Sequence, residues 1–237
     1  MCKDLLWRIM AIYIYIYAHL LKTVRNCFYN SGDGPKKTRC LQINGEKILW
    51  KTVIRLYFSY KRCNFRKSYK LNSQNVFPNS YSCIKVKYAA EVLSNTVASE
   101  IEEQGWASTG ETVRFIRYFN KFFDVLNGAF STHHIVTRNQ DLAPYKNVLD
   151  NRFKWLEDDF LKYLEEWEAQ VRADGKRLGL SALEQDERLL SRQSRQGLEI
   201  SVRGFIGVTK LLLKEGASYV NARTFSQDVL EQHFSLH

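Results

Sequence analysis

Proline and cysteine are scarce in this sequence, and their placement excludes two architectures. Only 3 prolines occur in 237 residues, which argues against long extended linkers between domains. The cysteines are scattered and odd in number: Cys2, Cys27, Cys40, Cys63 and Cys83. No two of them stand at the Cys-x-x-Cys spacing and no pair of histidines stands at the spacing of zinc ligands, so this chain carries no zinc finger of its own. The pattern is typical of free thiols in a reducing compartment.

Acidic residues are nearly missing from the first third of the chain. Residues 1–90 hold 17 Lys and Arg against 3 Asp and Glu, a net charge of +14. Residues 91–237 hold 18 against 22, a net charge of −4. The basic part indicates either a polyanionic partner, such as nucleic acid or a nucleotide phosphate, or simply a solvated basic face.

The common nucleotide-binding motifs are absent as well. The sequence contains neither the phosphate loop G-x-x-x-x-G-K-[ST] nor the G-x-G-x-x-G fingerprint. The stretch NKFFD, from Asn120 to Asp124, has one residue too many for the Asn-Lys-x-Asp guanine reader of ordinary GTPases. By these patterns alone, nothing in the chain predicts nucleotide binding.

A membrane anchor is not expected either. The apolar run from Leu5 to Leu21 is interrupted by Arg8 and His19, and it is shorter than the roughly 20 residues of a comfortable span. It also lacks the small-residue cleavage site of a secretion signal. Within it, AIYIYIY fits a β-strand by its alternation, but translation of a TA dinucleotide repeat in any frame also gives Ile-Tyr. We favour the second origin, which predicts that residues 1–17 are a non-native leader.

The rest of the sequence predicts a mainly α fold. In residues 151–171, Phe153, Leu156, Phe160, Leu164, Trp167 and Val171 recur at spacings of three and four. This is an amphipathic helix whose acidic residues are expected to form its solvated face rather than catalytic acids. Further helices are predicted at 18–30, 47–60, 84–103, 112–127, 198–216 and 224–237. The helix at 112–127 is expected to begin with a capping box, Ser108-x-x-Glu111, and to stop at Gly128, and residues 172–194 are expected to form a polar loop.

Five short motifs occur in a particular order along almost the entire chain. They are HLLKTVRN, ILW, KLNSQNVFPNSYSCIKVKYAAEVLS, TVRFIRYFNKFFDVLN and FSQDVLEQHF. In this order they resemble the P-element type of DNA transposase, the family that includes the THAP-domain transposases. The resemblance implies a helical GTP-binding insertion domain, flanked by incomplete pieces of an RNase H-like α/β catalytic domain. It also implies domain bounds of 18–30 for the end of the first RNase H-like segment, 31–200 for the insertion and 201–237 for the start of the second segment.

The resemblance implies a set of site residues. Members of the family cut and paste DNA with three carboxylates that hold two metal ions, Mg²⁺ in the intact enzyme, and they use GTP as an assembly cofactor. Carried over, SQDVLE places the third catalytic, metal-binding carboxylate at Glu231. The implied GTP contacts are Lys70, Lys85, Val86, Ser94, Asp124, Asn127 and Asp228.

Each implied contact also has a structural reading. Asp228 can serve the first turn of its own helix beside Ser226, and Lys70 and Lys85 can be solvated basic residues. Lys85 and Ser94 are nine residues apart, half a turn out on an ideal helix. Either Lys85 precedes the helix proper or one of the two is not a contact.

The sequence departs from the family at a catalytic position. The family motif Asp-Pro-Pro-His-Leu-Leu-Lys carries the second catalytic Asp, and aligned on His19 this chain has Ile16, Tyr17 and Ala18 instead. The first carboxylate, the THAP zinc module and the coiled coil of the family are not found in this sequence. Since one carboxylate cannot hold two metals, strand transfer by this chain alone is not expected.

Three interpretations stay open from sequence. The first is a decayed or incompletely read transposase that keeps GTP binding. The second is a host-adopted, non-catalytic protein that binds DNA or pairs with a full-length transposase as a homo- or hetero-oligomer and modulates it. The third is a pseudogene product that does not fold. The resemblance implies transposon-end DNA as the partner of the intact enzyme and a nuclear location, otherwise a cytoplasmic one, with no membrane association or secretion.

Overall fold

The computed structural model describes residues 16–35, 37–59 and 70–225. Its first helices and its strands are α1 (Ile16–Tyr29), β1 (Gln42–Ile43), β2 (Glu46–Lys47), α2 (Trp50–Ser59), α3 (Ser73–Val76), α4 (Val86–Val92), α5 (Asn95–Glu103) and α6 (Gly110–Val125). The later helices are α7 (His133–Thr137), α8 (Asn151–Lys154), a π-helical segment (Trp155–Leu161), α9 (Lys162–Leu178), α10 (Ala182–Glu187) and α11 (Arg192–Lys214). Short 3₁₀ turns lie at Ser82–Ile84, Gln140–Leu142 and Ala222–Phe225. The predicted mainly α fold is confirmed.

The described residues divide into two compact units. The larger unit contains the described residues of 21–120 and 163–195. The smaller unit contains residues 16–20, 121–162 and 196–225. The domain bounds predicted from sequence stay a prediction.

Aromatic side chains form the core of the larger unit. The ring of Phe28 on α1 lies 5.0 Å from that of Trp50 on α2 and 5.3 Å from that of Phe115 on α6. Phe115 in turn contacts Trp167 on α9 edge-on, at 6.2 Å. Both indole N–H groups are satisfied inside this core, since Trp50 donates to the Val76 carbonyl (3.1 Å) and Trp167 to the Gln42 carbonyl (2.7 Å). Four helices distant in sequence are thereby joined by one chain of rings.

Tyr145 is the centre of the smaller unit. Its buried ring stacks on Phe153 at 4.8 Å and meets Phe205 of α11 edge-on at 5.3 Å. Its hydroxyl donates to the Val125 carbonyl at 3.0 Å, and its backbone exchanges two 2.8 Å hydrogen bonds with Val220. The segment around Tyr145 therefore joins the end of α6, the helices α8 and α11, and the segment before Phe225.

The helix predicted at 151–171 is confirmed, and all six of its apolar positions are buried. The helical path continues without a break from Asn151 to Leu178, seven residues beyond the predicted end. The acidic residues Glu157, Asp158, Asp159, Glu165 and Glu166 are exposed, as expected of a solvated face. Glu168 instead accepts from Arg195 at 2.9 Å through each of its two oxygens.

Three predictions of local structure are wrong. Residues 172–194 are not a polar loop, because α9 runs to Leu178, α10 follows at Ala182–Glu187 and α11 begins at Arg192. The signal for α10 was the capping box Ser181-x-x-Glu184, which forms in both directions. The single helix predicted over 84–103 is also wrong, since α4 ends at Val92 and α5 begins at Asn95. The two short strands form a hairpin whose tight turn is made by Asn44-Gly45 (φ 51° and 76°).

The third concerns the start of α6. Ser108 adopts a left-handed φ of 56° two residues before the helix, so it is not the predicted cap. The Glu111 backbone N–H is satisfied instead by the Glu46 carboxylate of the hairpin, at 2.9 Å. A tertiary contact has replaced the local capping box, and the helix ends at Val125, three residues before Gly128.

The described parts of the chain contain no helix long and apolar enough to cross a bilayer. Cys27, Cys40 and Cys83 are free thiols. The predicted leader, residues 1–17, lies outside the described residues except for Ile16 and Tyr17, which begin α1.

Candidate functional site

Lys70 lies in a turn where its carbonyl is held by two side-chain amides, of which Asn75 is buried and Asn72 is exposed. Its carbonyl accepts from Asn75 Nδ2 at 2.9 Å and from Asn72 Nδ2 at 3.2 Å. The same Asn75 Nδ2 donates to Glu91 Oε2 of α4 at 3.0 Å, while Asn75 Oδ1 accepts from the Asn72 backbone at 2.9 Å. Asn75 is fully buried and uses its whole side chain, so it fixes the Lys70 backbone relative to α4.

Lys85 immediately precedes α4 in extended conformation (φ −85°, ψ 117°). Its ammonium lies 4.3 Å from the centre of the Tyr81 ring, and Tyr81 raises the pKa of Lys85 through a side-chain hydrogen bond. The lysine is therefore positively charged at any working pH. A compact, partly exposed cation of this kind suits a phosphate group.

Arg25 holds the segment that leads to Lys85. It projects from α1, is fully buried, and donates through Nη2 to the carbonyls of Cys83 (2.9 Å) and Ser82 (3.2 Å). Its Nη1 has no protein hydrogen-bond partner, and burial lowers the pKa of the guanidinium. Arg25 was not among the residues predicted from the sequence. Its signal was a charged residue on the apolar face of a helix, four residues after Leu21 and three before Phe28.

Ser94 marks a break that the sequence analysis did not predict. The expected helix over 84–103 is two helices, α4 and α5, and Ser94 is the N-cap of the second. Its hydroxyl accepts from the Val97 backbone (3.4 Å) and donates to the Glu91 carbonyl (2.9 Å). Lys85 precedes α4 and Ser94 follows it, so the two residues do not belong to one continuous helix. Their nine-residue spacing therefore does not argue against either residue as a GTP contact. Val86 is the first residue of α4.

Asp124 and Asn127 lie at the end of α6, in the smaller unit. Asp124 Oδ2 accepts from Asn139 Nδ2 at 2.9 Å, and the Asn127 backbone N–H donates to the Asp124 carbonyl at 3.0 Å. Next to them, Gly128 has no room for a side chain, since a Cβ would lie 2.6 Å from the Leu142 carbonyl oxygen. The contact between Asp124 and Asn139 was also missed. The sequence pattern that indicates it is Asn-x-Asp, which is typical of a turn in which the Asn side chain binds the backbone two residues later.

His133 supports the same loop from the other side. Its Nδ1 accepts from the Ala129 backbone N–H at 3.1 Å, and burial lowers the pKa of the imidazole, with Arg223 and His134 contributing. The Arg223 backbone N–H donates to the Gly128 carbonyl at 2.9 Å. His133 therefore has a structural role in holding residues 128–129.

The structure divides the predicted contacts between the two units. Lys70, Lys85, Val86 and Ser94 lie in the larger unit, whereas Asp124 and Asn127 lie in the smaller one. Asp228 and Glu231 lie outside the described residues. Within the described ranges, no group of three or more His, Cys, Asp or Glu side chains is placed to hold a metal ion.

A separate cavity of 440 Å³ opens between α5 and α6 in the larger unit. Trp106, Arg114, Arg117 and Tyr118 are among its lining residues, and none of the predicted nucleotide contacts lines it. Arg117 is already paired with Glu102 through two hydrogen bonds, at 2.6 and 3.1 Å.

Comparisons with known proteins agree on one family. The profile of the TNP-like, GTP-binding insertion domain matches residues 18–136. The transposable element P transposase of Drosophila melanogaster is 27% identical over 222 residues, covering 91% of this chain and 26% of that protein. The solved Drosophila P element transposase strand transfer complex superposes with a TM-score of 0.67 at 25% identity, covering 92% of this chain and 44% of the solved one. The chain thus spans about a quarter of the curated relative and less than half of the solved chain.

Proposed function

Because the chain belongs to the TNP-like, GTP-binding insertion domain family, we propose that it binds GTP as the insertion domain of a P-element-like transposase. The resemblance to P-element transposases read from the sequence motifs is confirmed. The observation that carries the proposal is the family match over residues 18–136, which includes all six predicted contacts within the described residues. Bound GTP supplies a triphosphate with several negative charges and a guanine ring with two N–H donor groups.

The predicted residues fit the two ends of GTP in their chemistry. Lys70 and Lys85 bring positive charge for phosphate oxygens, and the Tyr81 contact raises the pKa of Lys85 above its usual range. Asp124 brings carboxylate oxygens, which accept hydrogen bonds and suit the N–H groups of guanine. Arg25, buried under residues 82 and 83, fixes the backbone just before Lys85.

Lys85→Gln is expected to weaken GTP binding by about tenfold, since a charge-assisted contact to phosphate is lost. The measurement is the anisotropy of labelled GTP titrated with the full chain. Lys87→Gln is the matched control, because Lys87 is an exposed lysine on α4, two residues further along, and not a predicted contact. The control should bind within about twofold of the native chain.

Two results would contradict parts of this proposal. If the native chain shows no saturable binding at about 1 mM GTP, the proposed function is wrong. If the two lysine variants weaken binding equally, GTP binding stands but Lys85 is not a specific contact.

The second candidate function is non-catalytic DNA or partner binding, favoured by the +14 charge of residues 1–90. Ile16 occupies the position of a family catalytic Asp, and its hydrocarbon side chain cannot bind a metal ion. We therefore propose that the chain binds DNA without cleaving it, and in this way, or by pairing with a full-length transposase, limits transposition.

Gel-shift assays with a duplex oligonucleotide test the DNA part. Affinity should fall at least about tenfold between about 50 and about 200 mM salt, since several phosphate contacts release counterions. The same mixtures with Mg²⁺ or Mn²⁺ should show no strand cleavage. Binding that is absent at low salt would rule out a DNA partner, and cleavage would rule out the non-catalytic role.

A further inference from the structure

We propose that Asn139 is a positioning residue that sets guanine specificity by fixing the orientation of the Asp124 carboxylate. The inference rests on the proposed function, and it adds to it a residue outside the family motifs quoted above. It depends only on contacts inside the smaller unit.

The Asn139 side chain can adopt only one orientation of its amide. Its Oδ1 accepts from the Asp141 backbone N–H at 3.0 Å, and its Nδ2 donates to Asp124 Oδ2 at 2.9 Å. Rotating the amide by half a turn would place its NH₂ group against the Asp141 N–H and its oxygen against the Asp124 carboxylate, and both contacts would be repulsive. The backbone therefore dictates that Asn139 presents a donor to Asp124.

The Asn139 backbone is itself fixed on both sides. Its N–H donates to the His134 carbonyl at 3.0 Å, and its carbonyl accepts from the Leu142 N–H at 3.1 Å. Arg152 donates to the carbonyls of Asp141 (3.2 Å) and Pro144 (3.3 Å), so the segment after Asn139 is also held. The donor that Asn139 offers to Asp124 thus has a preset position.

The helix end that carries Asp124 is held by the same segment. The Tyr145 hydroxyl donates to the Val125 carbonyl at 3.0 Å, one residue after Asp124. Backbone and side chain at the end of α6 are therefore fixed by residues 139–145. A carboxylate fixed before the ligand arrives loses less conformational entropy on binding.

The chemistry of guanine explains why orientation matters. Guanine offers two parallel donors, the ring N1–H and the exocyclic amine, which suit a carboxylate only when both oxygens lie in the plane of the base. A carboxylate has about four lone-pair sites, of which the Asn139 bond uses one and the two guanine donors would use two. Inosine triphosphate (ITP) lacks the amine and makes a single bond, which needs less exact orientation.

Asn139→Ser isolates this role. Serine is a good cap for the Asp141 N–H, but it is too short to reach Asp124. The variant should bind GTP about tenfold more weakly and ITP by a smaller factor, so that the ratio of GTP to ITP affinity falls. Lys85→Gln is the control, since lost phosphate contact should weaken both nucleotides by the same factor.

A second pair of variants tests the direction of the hydrogen bond. In Asp124→Asn, the Asn139 donor holds the new amide oxygen, which leaves the new NH₂ group for the base. Xanthosine triphosphate (XTP), with a carbonyl in place of the amine, should then bind about tenfold better than GTP. In Asp124→Asn/Asn139→Asp, residue 139 accepts the NH₂ group, the amide turns around, and the preference for XTP should disappear. Circular dichroism melts of all variants establish that they fold.

The outcomes separate this inference from the proposed function. A native chain that binds no GTP contradicts the proposed function. A native chain that binds GTP, with an unchanged GTP to ITP ratio in Asn139→Ser, overturns the inference and leaves the function intact. An XTP preference that persists in the double variant, or that never arises in Asp124→Asn, also overturns it.

Discussion

Arg25→Met is expected to lower the free energy of unfolding of the larger unit by about 2–4 kcal/mol. Two opposing effects decide whether the substitution lowers or raises the free energy of unfolding. Removing a buried charge with an unsatisfied Nη1 is favourable, and an apolar side chain of similar volume can replace buried charges at no cost when both partners are replaced. Here the partners remain: the backbone carbonyls of Ser82 and Cys83, and the Asn26 side-chain oxygen, which accepts from Arg25 Nε at 2.9 Å. Each of the two carbonyls would lose its donor at a cost of about 1–3 kcal/mol. The loss of these bonds therefore outweighs the gain.

The measurement is urea unfolding, followed by hydrogen exchange to assign the effect to residues 82–92. Lys22→Met on the same helix is the matched control, expected within about 0.5 kcal/mol of the native chain. If Lys85 contacts GTP, Arg25→Met also weakens GTP binding, because the backbone before Lys85 loses its support. An Arg25→Met chain as stable as the native one would show that the two hydrogen bonds contribute nothing net.

Tyr145→Ala is expected to destabilise the smaller unit by about 3–5 kcal/mol, the usual range for removing a large buried aromatic side chain. The ring loses its stacking on Phe153 and its edge contact with Phe205, and the cavity lies at the meeting point of several segments. Tyr145→Phe separates packing from hydrogen bonding. It removes only the donor to the Val125 carbonyl and should cost about 1–2 kcal/mol.

Unfolding at several pH values gives an independent check on Tyr145. Burial raises the pKa of its hydroxyl, so the folded chain holds this proton more tightly than the unfolded chain. The corresponding stability is complete below the unfolded pKa of about 10 and is lost as the pH rises above it. This decline should be smaller in Tyr145→Phe, with the remainder due in part to Tyr163, whose pKa burial raises in the same way. An equal decline in both chains would contradict the role of the buried hydroxyl.

The long helices could be predicted because their information is local. Apolar residues at a 3.6-residue period, as in 151–171, must face the core whatever they contact there. The predicted helix at 18–30 likewise buries Leu20, Leu21 and Val24. The Asn44-Gly45 turn and the capping box at Ser181 depend on equally local information. They were not predicted, although Asn-Gly is typical of a tight hairpin turn and Ser-x-x-Glu of a helix start.

The interior of the site could not be predicted in the same way. Whether Ser108 or Glu46 serves the start of α6 depends on where a hairpin packs. The bond between Asp124 and Asn139 joins residues 15 apart whose positions follow from the folding of the loop between them. The motifs identified the family, but the contacts that orient the predicted residues come from tertiary structure.

The Arg25 contact also determines which of its positions can accept other amino acids. Two of its three hydrogen bonds end on the main-chain carbonyls of residues 82 and 83, which every amino acid carries, so they place no demand on the side chain at position 83. Position 25 should accept few other residues, because no other side chain offers a planar, permanently charged group of that length. A mutational tolerance map of this region should therefore be asymmetric, with many residues accepted at Cys83 and almost none at Arg25. Sequence variation at position 83 would therefore give no indication of how strongly position 25 is constrained.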